Sequence, residues 1–411
     1  MLYCRRSGAI ILVISLCLLC SAEWVSADTC AGCLTTNNIS INGFNLEDIK
    51  DSNLSAFRQM DPRDIGRAMD ISGYNLSEGG GSSPFSDVID LNQTDQEAAV
   101  MSMTLKVILA LQEASKNLPR FSPPDEFSRI PPENFSLLSN LSYIPSEWDQ
   151  TGGSDEHCGN CWVWADTGAL QLDMAYQKGI KDRLSVQYFV SNYHNGTGIW
   201  ACCGGSPVWF ADFYDQKKMA IPWNNTNAEF QDATTMCEKG ESSKVPGDLI
   251  STEPAYPIDH IEAHIIPTIS EEEEHQITNS SAIQAIKAAL RTGKGVLFLY
   301  TPDDWDPFME FWNNLSENAV FTPTPGPSYA EGKSPGGHVV LVVGYNDTDP
   351  KNRYWIVLNS WGGPKNRPNG LFRMTMDLDY SYQYKEGVHA YEWSVLNVTY
   401  PETFPTAPLG Q

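Results

Sequence analysis

Apolar residues in this chain recur with two different periods. After Cys161, apolar or small residues fall at Ala165, Ala169, Leu172 and Tyr176, the three-to-four spacing of one helix face, and Gly179 supplies a stop. Asn160 then reads as the N-cap of that helix. Far downstream, His338 opens the unbroken apolar run HVVLVV of a buried strand, followed by the turn-forming NDTDPKN and then RYWIVLNSWG. Two strands and a turn predict a hairpin. Folded about Asp349, it sets His338 opposite Ser360 and next to Asn359. Residues 281–291 have amphipathic helical spacing and 295–300 read as a strand. Nearer the N-terminus, residues 94–118 predict a helix with Thr94 and Glu97 placed as a capping box. A Gly/Ser linker at 75–84 and a Pro-rich connector at 119–132 flank it.

The chemistry-bearing residues stand at the junctions of these elements. The string CGNCWVWA at 158–165 puts Cys158 in a turn and Cys161 at the mouth of the predicted helix. A thiol there sits at the positive end of the helix dipole, beside unpaired backbone N–H groups, which favours thiolate over thiol. Taken alone, a C-x-x-C in an exported chain equally suits a disulfide or a metal. Period and register, however, also bring an imidazole and a carboxamide together at His338 and Asn359, and the three side chains jointly suit nucleophilic thiol chemistry.

In these residues the chain resembles the papain-like, cathepsin-type cysteine peptidases, whose C-G-[SA]-C-[WY] signature surrounds the nucleophile, with histidine and asparagine far downstream. Asn160 stands where the signature has Ser or Ala. Ile144-Pro145 resembles the usual start of the mature enzyme, Leu184-Ser185-Val186-Gln187 the LSEQ segment, Cys202-Cys203-Gly204-Gly205 the CNGG loop, and Asn359-Ser360-Trp361-Gly362 the NSWG motif. The resemblance implies an α+β fold over residues 144–400: a helical subdomain opened by Cys161, a β-rich subdomain carrying His338 and Asn359, and a cleft between them. It implies Cys161 as nucleophile, His338 as general base and acid, Asn359 as the group orienting the imidazole, and Trp361 as its shield from water. It also implies that Gly204 and Gly205 bind the substrate chain, that Pro207 and Val339 wall an apolar pocket for the second residue upstream of the scissile bond, and that Cys158 pairs with Cys202. Proximity then leaves Cys203–Cys237 as a second bridge, and Cys30 with Cys33 as a small local one.

Three departures from the family pattern stand out. The glutamine expected six residues before the nucleophile, an oxyanion donor together with the backbone N–H of Cys161, is replaced by Asp155. Either Asp155 works protonated at low pH, or Gln150 or another donor fills the hole, or the peptidase is weak or inactive. After NSWG, the stretch GGPKNRPNGLF lacks the family's second tryptophan and is one residue longer, which weakens the expected shielding of the His338–Asn359 pair. The spacing from Cys161 to His338 exceeds the family's, implying an insertion within 237–279, where the run Glu271, Glu272, Glu273, Glu274 reads as a solvated face.

Composition completes the picture. Arg5-Arg6, an apolar core at 9–20 and Val25-Ser26-Ala27 form a secretory signal peptide, residues 1–27, followed by a prosegment-like or accessory region at 28–143 and a tail at 401–411. The exported chain keeps seven cysteines, an odd number that leaves one thiol free. Sequons at Asn38, Asn53, Asn75, Asn134, Asn140, Asn195, Asn224, Asn314 and Asn397 fit a secreted or cell-surface glycoprotein. A net charge of −24 argues against nucleic acid or anionic membrane as partners. The expectation is therefore an exported, monomeric thiol endopeptidase made as a precursor, acting on polypeptides with no metal or cofactor, and membrane-associated only if the leader stays uncleaved. The alternatives are a catalytically weak or silent papain-fold module that binds peptides or glycoproteins at a cell surface, and a transferase in which an amine replaces water.

Overall fold

The computed structural model describes residues 118–128, 131–142, 148–153, 157–194, 200–236, 242–268, 278–300, 305–324, 337–385 and 388–410, together with a short ladder pairing Ser40–Ile41 with Phe44–Asn45. The signal peptide, the helix expected at 94–118, Cys30 and Cys33, Ile144-Pro145, Asp155, Cys237 and the glutamate run lie outside the described residues.

Helix α1, Cys161–Lys178, is the axis of the fold. It ends where expected, on Gly179 in the left-handed region at φ 70°, with the Gly179 N–H donated to the Ala175 carbonyl. The one-face reading was too narrow, because every residue from Trp162 to Ala175 is buried. A helix buried all round is a core helix, and this one takes Asp166, Thr167, Gln171 and Asp173 into the interior with its apolar residues. Tyr176, expected on the buried face, is instead 51% exposed at the end where α1 emerges, and its ring covers Gly293. Ser185 caps α2, Val186–Asn192, accepting a hydrogen bond from the Tyr188 N–H at 2.9 Å, and α3, Pro207–Lys217, begins on a proline whose missing N–H costs nothing in a first turn.

The later half of the chain is β-rich. In chain order it supplies β2 (His260–Ile265), α4 (Asn279–Arg291), β3 (Val296–Tyr300), α5 (Asp306–Asn314), β4 (Val320–Phe321), β5 (His338–Asn346), β6 (Tyr354–Leu358), β7 (Leu371–Thr375) and β8 (Tyr391–Thr399). These strands form one sheet in the order β2-β8-β3-β5-β6-β7-β4. Its central strands are buried on both faces, as their unbroken apolar runs require. The predicted hairpin is β5–β6, but its register is offset: Tyr354 faces Asn346, and a bulge between Ile356 and Val357 then sets Leu358 opposite Leu341. Both α1 and α4 pack against β5, with Gly168 of α1 against Leu341 and Gly295 against Leu341, Leu172 and Ala169.

Segments beyond the expected peptidase boundaries are built into this body. Strand β1, Asn134–Ser136, extends the sheet antiparallel to β5 at Gly344–Asn346. Upstream of it, the stretch expected to be a mere connector pairs Arg120 with Ile265, and the Phe121 N–H donates to the Ile265 carbonyl at 2.8 Å. Phe121 and Leu137 are both buried. At the other end, the tail brings Phe404 onto the Tyr256 ring, with centroids 5.7 Å apart, and the Gly410 N–H onto the Asp182 carboxylate at 2.7 Å.

Candidate active site

The N-terminus of α1 and the start of β5 bring Cys161 and the His338–Val339 pair together. The backbone N–H groups of Val339, Trp162 and Cys161 itself hydrogen-bond toward the Cys161 sulfur. Among the described residues Cys161 is the free cysteine. Asn160 occupies the N-cap position but makes no side-chain cap bond; its amide is buried with neither polar atom partnered.

The helix-dipole expectation of a ready thiolate is not met. Burial pushes the Cys161 thiol up to about 11, outweighing the three N–H groups that favour the anion, and the nearby Asp166 adds to the rise. Asp166 itself, five residues along α1 and fully buried without a hydrogen-bond partner, is raised well above the carboxylate range by the same desolvation.

His338 is buried at 3% exposure, and its Nε2 lies 2.8 Å from the Oδ1 of Asn359. An amide oxygen only accepts, so Nε2 carries the proton and Nδ1 is left as the basic nitrogen. The same Oδ1 accepts from the Ser360 N–H at 2.9 Å, which fixes the carboxamide. Burial draws the His338 imidazole down to about 4; the Asn359 bond opposes this and the neighbouring His157 adds to it.

An aromatic wall encloses this pair. Trp361 lies 4.8 Å from the imidazole centroid to centroid, Trp305 5.9 Å and Tyr300 6.1 Å. The second tryptophan missing after the NSWG run is made up from α5 and its N-cap, since Trp305 and Trp312 approach Trp361 at 6.2 and 6.0 Å. Arg367, wholly buried in the lengthened loop, donates to the carbonyls of Phe311 and Ser316 and holds α5 in place.

Asp155 lies outside the described residues, whereas Gln150 lies well within them. It is 2% exposed, its Nε2 donates to the Cys158 carbonyl at 3.1 Å, and its Oε1 accepts from the Ser360 hydroxyl. The chain therefore places a fixed amide between the turn before the nucleophile and the Asn359–Ser360 segment. Gln150, the alternative donor named from the sequence, stands eleven residues before Cys161, with the Thr151-Gly152-Gly153 turn, both glycines at positive φ, between them.

The remaining expected residues fall as follows. Cys158 and Cys202 are disulfide-bonded, and Cys203 is disulfide-bonded as well, its expected partner Cys237 being outside the described residues. Gly204 has φ 86°, and Gly205 packs against the Trp162 ring, whose Nε1 donates to the Ala201 carbonyl at 3.1 Å. Pro207 and Val339 are both buried, so neither offers free surface in this structure. Among the described residues no cluster of His, Cys, Asp and Glu could hold a metal, and no helix is long and apolar enough to cross a membrane.

Comparison with known proteins agrees in class. A family model described as "Papain family cysteine protease" matches residues 314–391. The "Cathepsin B-like CP2" of Giardia intestinalis is 28% identical over 285 residues, spanning 67% of this chain and 78% of that protein. The "Probable cysteine protease RDL3" of Arabidopsis thaliana is 22% identical over 219 residues, 53% of this chain and 47% of that protein. Among solved structures, bromelain protease from Ananas comosus covers 66% of this chain and 100% of its own at 18% identity and a TM-score of 0.43. Xylellain from Xylella fastidiosa covers 69% and 92% at 18% identity and a TM-score of 0.44. Over residues 314–391 the chain thus resembles the papain family of cysteine proteases, and its helices and mixed sheet make an α+β fold. In class it is a cysteine-type peptidase.

Proposed function

We propose that this chain is an exported endopeptidase that hydrolyses peptide bonds through an acyl-enzyme on Cys161, and that it is made as a precursor. The observation that carries this reading is the Nε2–Oδ1 bond between His338 and Asn359, closed off by aromatic rings, with the Cys161 sulfur against the N–H of the next residue, Val339.

In this mechanism His338 Nδ1 takes the thiol proton as sulfur attacks the carbonyl carbon. The tetrahedral oxyanion is met by the Cys161 N–H and by Gln150, whose amide has one N–H on the Cys158 carbonyl and a second to donate. The imidazolium then protonates the leaving amine, and water, deprotonated by the same nitrogen, releases the acid. Asn359 holds the ring in the tautomer both steps need. Export rests on the N-terminal leader and the sequons; Asn134, Asn224 and Asn314 are exposed in the fold.

The rival reading, a catalytically silent peptide-binding module, is favoured by one observation: burial moves the thiol up and the imidazole down, so a neutral pair is preferred over the thiolate–imidazolium pair. The test is labelling with a peptide-like epoxide across pH 4 to 8, the modified residue being located by mass spectrometry. Stoichiometric labelling at Cys161 that disappears in His338→Ala supports the peptidase; no labelling at any pH supports the silent module.

A further inference from the structure

The lengthened loop after the NSWG run, 363–370, carries a guanidinium into the interior. Arg367 is wholly buried, and its donors go to carbonyls at the far end of α5: Nη2 to Phe311, and Nη1 to Ser316 at 2.9 Å. Asn366 beside it donates to the Trp312 and Leu315 carbonyls at 2.8 and 3.0 Å. The last carbonyls of a helix have no partner within it, and a cation is favoured at that negative end. The guanidinium also lies 4.2 Å over the Phe311 ring, and among the described residues no carboxylate pairs with it. An apolar side chain would fill the space without the cost of desolvating a charge. Only a fork of donors, however, binds separated carbonyls of α5 and its exit to one loop.

Two paths lead from this clamp to the catalytic pair. Along the backbone, the Arg367 carbonyl accepts from the Gly370 N–H, and the Gly370 carbonyl accepts from the Asn359 N–H, both at 2.9 Å. The loop has little room to slip there: a Cβ on Gly370, whose φ is 69°, would stand 2.8 Å from the Gly362 carbonyl oxygen. Through side chains, α5 sets Phe308 5.3 Å and Trp312 6.0 Å from Trp361, which lies against the imidazole, and Phe308 is itself 6.3 Å from His338. The titratable groups at the imidazole come from other elements: His157 before α1, Cys161 at its mouth and Tyr300 on β3. The charged residues of α5, Asp306 and Glu310, are exposed, so what α5 brings to His338 is exclusion of water.

We infer that Arg367, with Asn366 beside it, is a positioning residue for the reaction: by clamping α5 and tethering Asn359, it holds the aromatic wall and the carboxamide against His338. This deepens the peptidase reading and rests on it. Loosening the clamp admits water to the imidazole, and relief of desolvation favours the charged ring, so His338 titrates higher without Arg367.

The test follows the His338 imidazole of the full chain by NMR through a pH titration. Its signal, one of seven histidines, is identified by its loss in His338→Gln. The parent is expected to titrate near the depressed value of about 4. Arg367→Met, which keeps the stem and removes the donors, should raise that midpoint by about one pH unit or more and carry the acid limb of Cys161 epoxide labelling with it. Phe121→Ala is the comparison: it removes a buried ring beside β2, at the opposite edge of the sheet, and should lower the melting temperature with the midpoint unmoved. A midpoint in Arg367→Met equal to the parent's, or the same rise in Phe121→Ala, overturns the inference. Where Arg367→Met fails to fold, Asn366→Ala is read instead, a raised midpoint supporting the clamp and an unchanged one overturning it. Failure of the peptidase reading shows differently, as absence of labelling and cleavage in every form, and leaves the titration to decide the role of Arg367.

Discussion

Gly205 and Trp162 touch without a gap: a Cβ built on Gly205 would overlap the indole ring, which is held from behind by Phe189 at 5.0 Å and by its bond to the Ala201 carbonyl. The residue next to the proposed nucleophile is thus packed directly against the Gly204-Gly205 loop. Gly205→Ala forces either to move, and overpacking of this kind costs about 1–3 kcal/mol. Urea denaturation is expected to show that loss, with slower epoxide labelling of Cys161 alongside. A variant as stable as the parent would mean the indole can shift freely.

Gln150, rather than Asp155, is expected to serve the oxyanion. Gln150→Ala should lower kcat by about 10²–10³, the usual cost of one lost donor. Asp155→Gln should leave kcat within about threefold of the parent at every pH. The reverse pattern, read from steady-state kinetics on any cleaved peptide, would return the role to Asp155.

The pH dependence follows from His338. Its folded value, about 4, is depressed below the ordinary 6.5, so the base stays neutral and competent in acid. The acid limb of kcat/KM is therefore expected well below pH 6. Stability moves with it: between 6.5 and about 4 the unfolded chain takes up a proton that the folded chain refuses, so this group makes the fold less stable as pH falls through that window. Comparing denaturation of the parent and His338→Gln at pH 7 and pH 4.5 checks the sign, since the variant should lose less on acidification.

Removing residues 28–143 as though they were a detachable leader is expected to damage the enzyme. That cut takes away β1, the buried Leu137 and Phe121, and the pairing of residues 119–121 with Ile265. Burial of a large apolar side chain is worth about 1.5–3 kcal/mol, so losing two removes a sizeable share of a domain's net stability. A chain begun at residue 118 should fold and label at Cys161, whereas one begun at residue 144 should aggregate or melt well below it in a thermal scan.

Much of this was readable in the residues. The unbroken apolar run from His338 and the strand after the Asn-Asp turn gave the hairpin, and the three-to-four spacing after Cys161 gave the helix and its glycine stop. Register was displaced because the turn centres one residue beyond Asp349, so the ladder opens with Tyr354 facing Asn346, and the bulge between Ile356 and Val357 takes back part of that offset. Asn160 resembles a cap in composition, but capping depends on a rotamer and a φ/ψ pair that sequence does not carry. The thiol went astray for a related reason: the dipole of α1 is local and legible, whereas the desolvation that opposes it comes from distant segments packed around the site. Trp305 and Trp312 stood in plain view, but only the fold brings them to Trp361.

The turn at Ile180–Leu184 holds both ends of the body. Lys181 Nζ grips the Ser139 carbonyl at 2.7 Å, while Asp182 takes the Gly410 N–H and the Tyr256 hydroxyl, which in turn accepts from Leu409. The body is thereby closed into a ring without a covalent seam. Disturbing that one short stretch of backbone would therefore loosen both ends at once.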